Sequence, residues 1–96
     1  MAQVDEMQAL QLMKTRLNRP AADTSLDAYL GLRVSAAVEK LNAMMPEKLD
    51  ASIADLMLVV DYAVWQYQDR DKNTGDPAWL RQRLRERHLK RAGGAS

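Results

Sequence analysis

No cysteine occurs anywhere in the 96 residues, which excludes a disulfide framework and any thiolate metal site. That fits a reducing compartment. Long hydrophobic runs are missing too. The longest, Leu56 to Val60, falls far short of the ~20 apolar residues a membrane span needs. The opening Met-Ala-Gln-Val-Asp-Glu has neither the basic start nor the apolar core of a signal peptide. The expectation is a soluble, unexported chain with no membrane partner. There is no glycine-rich phosphate loop, no internal repeat and no long low-complexity segment. The lone histidine, His88, has no cluster of ligands around it at metal-binding spacing. No Ser/His/Asp order and no close carboxylate pair with a plausible base accompanies it. The sequence therefore predicts a non-enzyme, with no catalytic residue, no cofactor and no metal.

A chain of this length makes one domain and buries only about 60–65% of its unfolded surface on folding. Its net charge is +1, unevenly distributed. Residues 1–75 carry eight Lys/Arg against eleven Asp/Glu, whereas residues 76–96 carry six against two. A basic end of this kind seeks an acidic partner, nucleic acid or protein.

Apolar spacing predicts four helices. The first, over residues 4–18, carries Met7, Leu10, Met13 and Leu17 on one stripe and stops at Pro20. The second runs from about Ser25 to Ala43, with Leu26, Leu30, Val34, Ala37 and Leu41 as its main stripe and Tyr29, Leu32 and Ala36 as a weaker one. Thr24 and Asp27 stand at capping-box separation. Gly31 inside this helix costs roughly 1 kcal/mol relative to Ala, and the close approach of another helix is the expected reason for it. Met44-Met45-Pro46 ends the pattern.

The third helix, about 50–70, is capped by Asp50 or Ser52. One face carries Ile53, Leu56, Met57, Val60, Val64 and Tyr67, and Val59, Tyr62 and Trp65 fill much of the other. A helix apolar nearly all round is a buried one. So short a chain has little else to cover it with, so Val59, Tyr62 and Trp65 are expected to meet a neighbouring molecule. Asp61, near the Met57/Val64 side, calls for a cationic partner, and Arg33 is one candidate. Asp69 to Gly75 is a polar break. Asp76-Pro77 then starts a fourth helix, about 77–91, with Leu80 and Leu84 inward. Its arginines cover most of the circumference. Three readings are open for it: a solvated charged helix, a phosphate-binding footprint, and docking to an acidic protein surface.

Several segments in order resemble the small head–tail connector proteins of tailed bacteriophages. These are Leu-Met-Lys-Thr-Arg-Leu (12–17), Asp-Thr-Ser-Leu-Asp-Ala-Tyr-Leu (23–30), Ala-Ala-Val-Glu-Lys-Leu (36–41), Val-Val-Asp-Tyr-Ala-Val-Trp-Gln-Tyr-Gln-Asp-Arg-Asp-Lys (59–72) and Trp-Leu-Arg-Gln-Arg-Leu-Arg-Glu-Arg (79–87). The resemblance spans roughly residues 8–90. It implies a helical subunit that assembles with itself into a ring, generally of about twelve copies, under the portal of a DNA-filled head. Such a ring extends the DNA channel without sequence-specific binding and docks the next head-completion or tail protein. The implied location is the virion, at the head–tail interface, after assembly in the host cytoplasm. By position, the resemblance places portal contacts on Arg87, Lys90 and Arg91, and subunit contacts on Val59, Tyr62 and Trp65.

The reading is an all-α compact bundle of about four helices around a long, mostly buried third helix. Residues 1–92 form one domain, and 93–96 a flexible tail. The alternatives are a DNA-binding regulator using the basic C-terminal helix, and a small helical interaction module.

Overall fold

Proline, capping side chains and apolar spacing divide the chain into four helices and no strand among the residues described, 3–69 and 75–94 of a computed structural model. They are α1 (Glu6–Arg16), α2 (Asp27–Met44), α3 (Ile53–Gln68) and α4 (Ala78–Gly94). The all-α bundle expected from the periodicity is the fold.

Each helix starts and stops for a local reason. Asp5 caps α1, its carboxylate accepting from the Gln8 amide at 3.1 Å. At the other end Asn18 takes the left-handed conformation, φ 60°, and Pro20 follows. Ser52, not Asp50, caps α3, its hydroxyl accepting from the Asp55 amide at 3.2 Å. The capping box expected at Thr24 and Asp27 does not form. Asp23 instead accepts the Ser25 amide and hydroxyl in a local turn, and α2 begins without a side-chain cap. Gly75, at φ 79°, supplies the backbone freedom for the entry to α4. Most of the polar break expected at 69–75 lies outside the described residues. So do positions 95 and 96 of the expected tail, while α4 runs on through Gly93 and Gly94.

α1, α2 and α3 pack against one another pairwise, and α4 joins them through side chains. The main stripe of α2 is as expected, with Leu30, Val34, Ala37 and Leu41 all buried. α1 differs. Its inward residues are Ala9, Met13 and Lys14, while Met7 is 76% exposed. Of the expected stripe, Met13 is buried and Leu10 and Leu17 pack partly against the core, so only Met7 departs from it.

α3 is sixteen residues long, shorter than α2 and α4, and Ile53 and Met57 at its start stand open to solvent. The expected long rod is therefore a mid-length helix whose cover begins one turn in. From Leu58 to Val64 it is closed off except at Asp61. Gly31 has no helix pressed against it: a Cβ added there would meet nothing within 4 Å.

Candidate interaction surface

α4 contributes only one fully buried leucine, Leu80, with Leu84 partly covered. Its hold on the bundle comes from arginines at every fourth position. Arg83, Arg87 and Arg91 fall on one flank and meet Asp61, Asp55 and Asp50 in turn. The order is reversed along the two segments, so α4 runs antiparallel to α3.

The middle rung is the most enclosed. Arg87 Nε and Nη2 donate to the two carboxylate oxygens of Asp55 at 2.8 and 2.9 Å. Its Nη1 and Nη2 also donate to the carbonyls of Glu47 and Lys48 at 3.0 and 2.9 Å. The guanidinium thus satisfies a buried acid and ties down the α2–α3 connection. Asp55 in turn accepts from the Asp50 amide at 2.9 Å. His88 sits beside this rung, Nδ1 3.1 Å from Glu47 Oε1, on the exposed side.

Asp61 lies between two arginines, Arg16 of α1 and Arg83 of α4. Burial works against its ionisation, but hydrogen bonds from Arg16 and Arg83 outweigh that and hold the carboxyl below its ordinary value. Arg33, the partner expected from sequence, lies instead over Tyr29, its Cζ 5.3 Å from the ring centre. Asp50 is held well below the usual carboxylate range by hydrogen bonds from Ser52 and from Arg91.

The residues expected at a subunit contact are placed otherwise. Val59 and Tyr62 are 0% exposed within the single chain, and Trp65 is half-buried, stacked on Tyr62 at 5.9 Å. Tyr62 donates its hydroxyl to Asp76 at the entry to α4 at 3.1 Å. Trp79 and the stem of Arg83 close over the same side. Val59 and Tyr62 are thus covered within the single chain, Tyr62 with help from the entry to α4, while Trp65 keeps part of its surface open. Val59 and Tyr62 offer nothing to a neighbour.

The residues assigned to portal contact are likewise mostly committed. The Arg87 side chain is 10% exposed, and Arg91 is bound to Asp50 and Asp55. Lys90 and Arg91 are exposed, and both line a cleft of about 480 Å³ between α3 and α4 that also takes in Asp50, Ser52 and the buried Leu58.

Two further surfaces stand out. The outer ridge of α4 carries Arg81, Arg85 and Leu89, also at every fourth position but on the side away from α3, with Leu89 58% exposed. The second is a groove of about 310 Å³ between α1 and α2, floored by Leu10 and Gly31 and edged by Met7 and Leu32. Sequence reasoning missed the buried Lys14, 1% exposed, whose ammonium donates to the Ala21 carbonyl and pairs with Asp27, both at 3.0 Å. The signal was present: Lys14 is four residues after Leu10 and three before Leu17, inside the stripe.

No group of three or more potential metal ligands gathers among the described residues, and no helix there is long and apolar enough to cross a membrane. No family profile, curated protein or solved structure matches the chain.

Proposed function

We propose that the protein is a structural assembly subunit, a head–tail connector of a tailed bacteriophage. In this reading it forms a ring between portal and tail, continues the DNA channel without reading sequence, and presents a surface to the next head-completion or tail protein. The observation that carries the reading is the division of labour along α4. One flank of arginines is consumed in fixing the helix to the bundle. The opposite ridge of Arg81, Arg85 and Leu89 is left outward on a rigid support, which is the arrangement of a docking surface. The ordered resemblance over residues 8–90 supplies the kind of assembly.

A DNA-binding regulator fits less well. Three of the six cations at residues 76–96 are paired with aspartates, which leaves a small phosphate footprint. The portal contact, in this reading, draws on Lys90 and the outer ridge rather than on Arg87.

The test is electron microscopy of the purified chain mixed with its cognate portal. An added ring of density coaxial with the portal supports the proposal. A portal unchanged by excess chain, together with tight salt-sensitive retention of the chain on duplex DNA, overturns it in favour of the regulator.

A further inference from the structure

The chain carries two exposed surfaces of different character. The α1–α2 groove is apolar in its middle, where Met7 is 76% and Leu32 70% exposed. Single exposed apolar side chains are ordinary, but these two flank one depression. Its floor contains Gly31, a helix-interior glycine with no contact in its own protomer to account for it, since a Cβ there meets nothing within 4 Å. The groove is bordered by two carboxylates: Glu6, which accepts from the Ser35 hydroxyl, and Asp27, which already pairs with the Lys14 ammonium at 3.0 Å.

The outer ridge of α4 has the converse character. Leu89 stands proud, and Arg85 and Arg81 follow it one and two turns back along the same ridge.

We infer that the α1–α2 groove receives the α4 ridge of a second copy of this chain, with Leu89 seated over Gly31 and Arg85 meeting Glu6. Because the two patches are different, the contact is head-to-tail. Repetition of such a contact closes a ring or extends a filament instead of stopping at a dimer. The inference deepens the assembly reading and rests on it, naming the surfaces through which the subunits meet.

The absence of native cysteine allows a clean test by disulfide cross-linking of the full chain. Leu32→Cys and Leu89→Cys are both at exposed positions that tolerate exchange. Mixed and oxidised, the two single variants give a cross-linked dimer, while either alone stays uncross-linked, and the double variant gives a ladder of higher species. Introducing Glu6→Arg with Leu32→Cys, or Arg85→Glu with Leu89→Cys, lowers the yield at least several-fold, and mixing those two double variants restores it. Equal cross-linking of either single variant with itself, absence of the mixed product, or a yield indifferent to the charge exchange overturns the contact. Loss of the cross-link in a chain that still rings the portal defeats this contact alone. A cross-link in a chain that never engages the portal defeats the connector reading instead.

Discussion

Arg87 of α4 holds Asp55 of α3 through two parallel hydrogen bonds of 2.8 and 2.9 Å, with side-chain exposures of only 10% and 3%. Removing one partner from such a pair leaves a charge buried without compensation, a loss of about 3–5 kcal/mol. That is a large share of the ~5–15 kcal/mol by which domains are stable. Arg87→Ala is therefore expected to shift the urea midpoint strongly downward. Arg87→Lys keeps the charge but not the fork, and recovers only a minority of the loss. An unfolding free energy within about 0.5 kcal/mol of the parent for Arg87→Ala, the scatter of neutral surface substitutions, would show the Arg87–Asp55 pair to be dispensable.

Acid should loosen the bundle in a defined window. Asp61 and Asp50 have carboxyls held below their ordinary value in the folded chain. Their contribution is fully present above the unfolded-state pKa of about 3.9 and is lost as pH falls through the lower folded values. The melting temperature is expected to be level from neutral pH to about pH 5 and to drop below about pH 4. Asp50 is more open to solvent than Asp61, so Asp61→Asn removes the larger part of the slope. A melting temperature unchanged down to pH 3 (about one unit below the ordinary carboxyl value) would contradict these arginine–aspartate pairings.

Gly31→Ala is expected to stabilise. The position is in the interior of α2 and an added Cβ meets nothing within 4 Å, so the gain is the helix-propensity difference of about 0.5–1 kcal/mol. Thermal melting of the dilute protein should rise by a few degrees. A fall would mean that the groove is narrower in solution than in the structure.

Tyr62 provides a test of who covers α3. Tyr62→Phe loses the hydroxyl that donates to Asp76 and accepts from Gln66 at 3.3 Å, a cost of about 1 kcal/mol. Tyr62→Asp places a carboxylate at a site with 0% exposure and should unfold the chain, with loss of far-ultraviolet helicity. A helical, monomeric Tyr62→Asp protein would return this residue to an intermolecular surface.

The four helices were legible because their apolar residues recur at helical spacing and Pro20, Pro46 and Asp76-Pro77 punctuate them. What covers α3 was not. Counting apolar side chains along α4 finds little beyond Leu80 and Leu84. The cover comes from α1 and α2, with Trp79, arginines whose heads reach aspartates, and the ring of Tyr62 stacked on Trp65 adding to it. Scales that score arginine as purely polar miss that contribution. They read a shortage of cover where there is none, and so displaced the expected interface onto Val59 and Tyr62. Lys14 was lost for the same reason, being charged and yet buried against a carbonyl and Asp27.

One chain alone seals the middle of α3. The decisive measurement is amide hydrogen exchange at a concentration where sedimentation shows only monomer. The amides from Val59 to Val64 are expected to exchange only through global unfolding, with protection independent of concentration. Protection that is weak in the monomer and appears only as the concentration is raised would contradict it.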